Sequence, residues 1–168
     1  MTSNNKSNYE SVREFHAAFS YPMPSEPTPM DEEMVLNRMG FLGEEMIELL
    51  HATSESPKQF REMFKKLLER LEQSYAKQSL KPFPEDKLVA QADACLDMRY
   101  FNSGDFTLLG INPDPLFEIV HSCNMKKLFP DGKPRYNEHG KIQKPEGWNP
   151  PEPLLEAEIQ RQIEEAQK

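Results

Sequence analysis

The sequence predicts an all-α chain with one Pro- and Gly-rich arm near its C-terminal end. Three observations lead there. Apolar residues recur at helical spacing in successive stretches; Val35, Met39, Leu42, Met46, Leu49 and Leu50 share one arc at about 100° per residue. Proline and glycine clusters at Tyr21–Met30, Lys81–Pro84 and Gly110–Pro115 separate these stretches. Hydrophobic content is only 37% and mean hydropathy is −0.76, which suits helices with wide polar faces and a core completed by a partner chain.

Met1–Ser7 is polar and expected to fray. Asn8–Phe19 reads as a helix with Val12, Phe15 and Phe19 on one face and Asn8 or Ser11 as its cap. His16 lies beside that face and reads as a surface or core histidine, with substrate contact as the alternative. Tyr21–Met30 holds four prolines and is expected to be an extended strap, with Tyr21, Met23 and Met30 as apolar anchors. Asp31 is placed to cap the next helix, which runs to about Ser54 with Glu32 and Glu33 in its first turn. Gly43 inside it costs about 1 kcal/mol relative to alanine, so a close helix or ligand approach is expected there. Pro57 opens a helix to about Gln78, with Phe60, Phe64, Leu67, Leu71 and Tyr75 as its stripe and a bundle or dimer contact as its role. Glu85–Ser103 follows, with Gly104 as its expected stop. A turn over Gly110–Pro115 leads to a helix ending near Leu128, burying Leu116, Ile119, Val120 and Cys123. Residues 130–153 form the irregular arm. A small hairpin is expected through Pro134–Tyr136 and Lys141–Gln143, with turns at Asp131-Gly132 and Glu138-His139-Gly140 and Trp148 as the anchor. The helical pattern returns at Glu152, giving a C-terminal helix over 154–168. With 168 residues and no repeats, one domain over 1–168 is expected.

Composition excludes several classes. Net charge is −8, which argues against a nucleic-acid polymer as ligand. Cys95 and Cys123 give neither a disulfide framework nor a zinc spacing, so a reducing cytoplasmic setting is expected. No signal peptide is expected, and no apolar run in the sequence approaches a membrane span.

The chemistry concentrates in Glu44-Glu45-Met46-Ile47-Glu48. Glu45 lies about 60° and Glu48 about 120° from Leu42 around the helix, so both flank the apolar arc at a seam between helices. Ionised carboxylates beside apolar surface are costly unless a cation joins them; a solvated acidic face is the plain alternative. Asp93 and Asp97 repeat the pattern beside Val89, Ala92, Leu96 and Tyr100. Such a carboxylate set suits magnesium, which takes oxygen ligands and water in octahedral geometry. Calcium is disfavoured because no EF-hand pattern is present.

The ordered set of EExxE, then Asp93-x-x-x-Asp97-x-x-Tyr100 ahead of a glycine, then His121–Lys127, Asp131–Pro134 and Gly140–Pro145, resembles the MazG-like, all-α nucleoside triphosphate pyrophosphohydrolases. Within them it is similar to the phosphoribosyl-ATP pyrophosphohydrolase-like branch, from about Val12 to Pro151. One departure stands out. Many relatives carry ExxD on the second acidic helix, where this chain has Ala90 and Ala94, so the number of metals per site stays open.

The resemblance implies a MazG-like helical bundle, a homodimer or homotetramer, and Mg2+-dependent cleavage of a nucleoside triphosphate between the α and β phosphates, with Mn2+ able to substitute. A role in nucleotide-pool housecleaning would follow. Glu45, Glu48, Asp93 and Asp97 would hold the metal, which polarises phosphate oxygens and lowers the pKa of the attacking water. Glu44 would accept the water's proton, with Glu45 and Glu48 completing the catalytic set. Lys127, Lys144, Lys126 and Lys141 would meet phosphates, and Asn124 would hydrogen-bond substrate; a solvated surface charge is the alternative for each lysine. Three rivals differ in kind. A nucleotide-sensing or interaction module would keep the fold without turnover. Phosphoribosyl-ATP would be a narrower substrate. A di-iron centre would use the ExxH pairs at Glu48–His51 and Glu118–His121, but both histidines are expected to face away from their apolar stripes.

Overall fold

The computed structural model describes residues 6–138 and 140–168. The fraying expected of residues 1–5, and His139 of the expected turn, lie outside the described residues. Six α-helices form among the described residues: α1 (Asn8–Ala18), α2 (Glu32–Thr53), α3 (Pro57–Ser79), α4 (Lys87–Leu109), α5 (Pro113–Met125) and α6 (Glu152–Ala166). The all-α expectation holds. The chain divides into two compact units, one of Met1–Glu26 with Asp97–Lys168 and one of Pro27–Leu96.

The first unit has a core of its own. α5 packs against α1 and α6, and Phe19, Cys123, Leu116 and Ser11 are buried there. Phe15 stacks on Phe19 with ring centroids 4.2 Å apart. The cap of α1 is Ser7, not Asn8 or Ser11: the Glu10 amide donates to Ser7 Oγ at 3.2 Å, and the Ser7 amide donates to the Glu10 carboxylate at 2.8 Å. This reciprocal box satisfies two donors that α1 would otherwise leave open, and it draws Ser7 out of the frayed end. Past the helix, Ser20 takes φ +55°, and the Tyr21 amide reaches back to the His16 carbonyl at 2.9 Å.

The arm between α5 and α6 is pinned at both ends. Tyr136 and Ile142 form an antiparallel bridge, flanked by Asn137 N–H to Lys141 O at 2.9 Å and Gln143 N–H to Arg135 O at 2.8 Å. This is the expected hairpin at its smallest. The Tyr136 hydroxyl donates to the Phe19 carbonyl at 2.5 Å, and the Trp148 indole N–H donates to the Cys123 carbonyl at 2.9 Å. The side chain of Gln162 on α6 both accepts from the Asn112 amide (2.8 Å) and donates to its carbonyl (3.0 Å).

The second unit is built differently. Asp31 caps α2 through the Met34 amide, Ser56 caps α3 through the Gln59 amide, and Pro57 opens α3. The two helices form a hairpin. Its half-buried positions include Val35, Ile47 and Leu50 on α2, the cap residue Ser54, and Phe60, Met63 and Leu67 on α3. None of its residues is fully buried. The strap is fastened where Gln91 of α4 accepts from the Met30 amide (2.8 Å) and donates to the Met30 carbonyl (3.0 Å).

Two helix ends are corrected as well. α4 does not stop at Gly104; it continues to Leu109 and ends at Gly110, whose φ is +69°. Thr107, Leu108 and Leu109 can extend a helix, so a glycine tolerated in helical conformation is no stop, whereas one in the left-handed region is. α5 ends at Met125 rather than Leu128.

Candidate functional site

α2 carries two apolar stripes, and only one is covered by the described residues. Ile47 and Leu50 are half-buried on the side of α3, where the cap residue Ser54 also reaches Met63, while Met39, Leu42, Met46 and Leu49 remain 40–58% exposed. Glu44, Glu45 and Glu48 are exposed beside that open stripe. The seam expected around Glu45 and Glu48 is therefore not closed by the described residues, because α3 takes the neighbouring face of α2. Gly43 fits the same picture: a Cβ there would meet nothing within 4 Å, so the close approach expected of it is not made within the chain.

Asp93 and Asp97 stand exposed on α4 beside Val89 and Leu96, each 63% exposed, and Tyr100 at 77%. Gln91, two residues from Asp93, is the residue that clamps Met30. No hydrogen bond or ion pair engages Glu44, Glu45, Glu48, Asp93 or Asp97 among the described residues. All five carboxylates thus keep their oxygens free for a cation or a proton. The donor chemistry fits a hard divalent ion, yet among the described residues no three His, Cys, Asp or Glu side chains gather closely enough to hold one.

The basic residues belong to the first unit and are brought together there in part. Lys127 Nζ donates to Asn124 Oδ1 at 2.8 Å, so the asparagine expected to meet substrate holds a lysine here. Lys127 Nζ lies 5.6 Å and Lys144 Nζ 4.2 Å from the centre of the Trp148 ring. Burial, and then the charge of Lys144, push the Lys127 ammonium below the usual lysine range. Lys126 is exposed and lines a cavity of about 530 Å³ with Cys123, Trp148 and the 145–150 segment. Lys141 is exposed in the hairpin.

The described histidines, His16, His51 and His121, take structural partners. His121 Nε2 lies 3.0 Å from Glu14 Oε2, and its ring stacks on Phe117. Glu14 also pairs with Lys6, and these two partners, Lys6 first, hold its carboxyl below the usual range. His51 sits edge-on to Phe60, and His16 Nδ1 lies 3.3 Å from the Pro22 carbonyl. Sequence reasoning missed the gathering of lysines on Trp148; a lone tryptophan four residues after a lysine in a Pro-rich arm was the available signal. It also missed the glutamine clamps, which no local pattern announces.

Comparison with known proteins agrees with this architecture. The phosphoribosyl-ATP pyrophosphohydrolase model matches residues 12–124, which takes in all the acidic candidates and ends at Asn124. A candidate NTP pyrophosphohydrolase from Exiguobacterium sp. 255-15, known from its crystal structure, superposes with a TM-score of 0.92 at 38% identity, covering 97% of this chain and 99% of that one. No curated protein matches at comparable significance. By sequence match and by fold, this chain belongs to the all-α, MazG-like phosphoribosyl-ATP pyrophosphohydrolase family.

Proposed function

We propose that the protein hydrolyses a nucleoside triphosphate between the α and β phosphates, releasing a nucleoside monophosphate and pyrophosphate. The observation that carries the reading is the set of five uncommitted carboxylates, Glu44, Glu45 and Glu48 on α2 and Asp93 and Asp97 on α4, in a chain of this family. Glu45, Glu48, Asp93 and Asp97 would hold magnesium, or manganese in its place, once drawn closer together than the described residues of one chain bring them. Bound there, the ion supplies charge neutralisation and polarises phosphate oxygens. Glu44 accepts the proton of the attacking water; one phosphoanhydride bond breaks and one P–O bond to the water oxygen forms. Lys127, Lys144, Lys126 and Lys141 offset the charge that the triphosphate would otherwise meet on a chain of net charge −8, and Asn124 positions Lys127.

Self-association is part of the proposal. The uncovered stripe Met39–Leu42–Met46–Leu49 and the exposed Phe64, Leu68, Leu71 and Tyr75 of α3 are apolar surface that a second copy would bury, as a homodimer or homotetramer. Among the described residues no helix is long and apolar enough to cross a membrane, and two unpaired cysteines, one of them exposed, favour a cytoplasmic setting.

The deciding experiment is pyrophosphate release from a panel of nucleoside triphosphates and phosphoribosyl-ATP, with magnesium and with chelator. Magnesium-dependent release from one or a few of them is the expected result and identifies the base, together with any housecleaning role. Tight nucleotide binding without release would favour the sensing module that Ala90 and Ala94 allow.

A further inference from the structure

The indole of Trp148 does two jobs in the structure. Its N–H is fixed to the Cys123 carbonyl at 2.9 Å, so the ring has a set orientation on the end of α5. Its π system then carries two ammonium groups, Lys144 at 4.2 Å and Lys127 at 5.6 Å from the ring centre. A ring face attracts one cation, but two cations sharing one ring repel each other. Neither ammonium meets a carboxylate among the described residues. Lys127 is also half-buried, which removes part of the water that would screen it. A cation pair gathered on a fixed platform without a counter-charge is preorganised for a polyanion.

We propose that Trp148 is a positioning residue that assembles Lys127 and Lys144 into a metal-independent site for a pyrophosphate group, taking the terminal phosphates of the triphosphate and the released product alike. The proposal rests on the pyrophosphohydrolase reading for its biological ligand, but the site itself needs neither magnesium nor turnover. Both lysines belong to the arm and the end of α5, beyond or at the edge of the family match, which ends at residue 124. The site would set how tightly the polyphosphate tail is held, while the carboxylates set its cleavage.

Trp148 is the chain's one tryptophan, so its emission reports this site alone. Inorganic pyrophosphate titrated into the full chain in chelator should change that emission saturably, with a matching calorimetric heat. A nucleoside monophosphate should do so far more weakly, and a non-hydrolysable triphosphate analogue should compete. Lys144→Met and Lys127→Met should each weaken pyrophosphate binding about tenfold or more, the scale of one charge-assisted contact, with unchanged helical circular dichroism. By calorimetry, Trp148→Phe, which keeps a ring face, should retain more affinity than Trp148→Leu, and Trp148→Leu should raise KM more than it lowers kcat. No saturable signal in chelator, or equal binding by the double lysine variant, would overturn the proposal even if the enzyme turns over. Absent turnover with intact pyrophosphate binding would instead sink the hydrolase reading and leave this site standing.

Discussion

The two units solve the same packing problem in opposite ways. The first unit buries Phe19, Leu116, Cys123 and Ser11 and ties its arm down through Tyr136 and Trp148. The second buries no residue fully, although α2 and α3 are longer than α1, α5 and α6 and are N-capped as well. Capping and propensity shape a helix, but burial decides whether it is stable. A helix hairpin with one covered and one open stripe on α2 therefore gains its remaining stability elsewhere, and under the proposed function that source is a second copy. Glu44, Glu45 and Glu48 sit beside that open stripe, so under the proposed function completing the core and completing the site would be one event.

This contrast can be broken by experiment. The largest effect is expected from the acidic residues: Glu45→Gln, Glu48→Gln and Asp93→Asn should each lower turnover by roughly 100-fold or more while circular dichroism stays unchanged. Full activity in all three would move the chemistry off α2 and α4. Next come two substitutions that test the units separately. Phe19→Ala should cost about 3–5 kcal/mol of stability in denaturant melts, independent of protein concentration, because its neighbours lie in the same chain. Leu42→Asp should leave the first unit folded yet shift the species seen by light scattering towards monomer, with melting that depends on concentration; a concentration-independent loss would show that α2 needs no partner.

A pH test sharpens the electrostatic side. Lys127 is held below the usual lysine range by burial and by Lys144. Between its folded and unfolded pKa values the unfolded chain binds more protons, so stability should rise with pH there. Pyrophosphate affinity should fall across the same window as the ammonium is lost. Lys127→Arg keeps its charge and should flatten the fall in affinity; an unchanged profile would mean another group titrates. The smallest effect belongs to Ser20, whose φ of +55° suits glycine. Ser20→Gly should raise the first unit's stability by about 1 kcal/mol, read as a shift in denaturant midpoint.

Much of the fold was legible in the sequence because its signals are local. Asp31, Pro57 and the apolar periodicity located α2 and α3, and the hairpin residues around Tyr136 were marked by turn chemistry. The misplacements share a cause: Gly104 and Gly110 look alike until backbone conformation is known, and Ser7 outcompetes Ser11 through a reciprocal bond with Glu10. The site was legible as residue types but not as geometry. Periodicity put Glu45 and Glu48 beside an apolar arc, which they are, but it cannot say which of two adjacent stripes α3 will cover. Nor can it say that Lys127 and Lys144, seventeen positions apart, end over one ring.

The two glutamine clamps have a consequence for how the protein ages. Gln91 on Met30 and Gln162 on Asn112 each use one amide as donor and acceptor to a single backbone residue. A neutral clamp is indifferent to ionic strength, so the strap should stay fastened on Gln91 in salt that loosens the Arg161–Glu158 pair, whereas Gln162 also donates to Glu158 Oε1 at 3.0 Å and is tied to that pair. Slow chemical deamidation is another matter. Conversion of either glutamine to glutamate replaces the donor that faces the backbone carbonyl with a second acceptor, and half of the clamp is undone by a one-atom exchange.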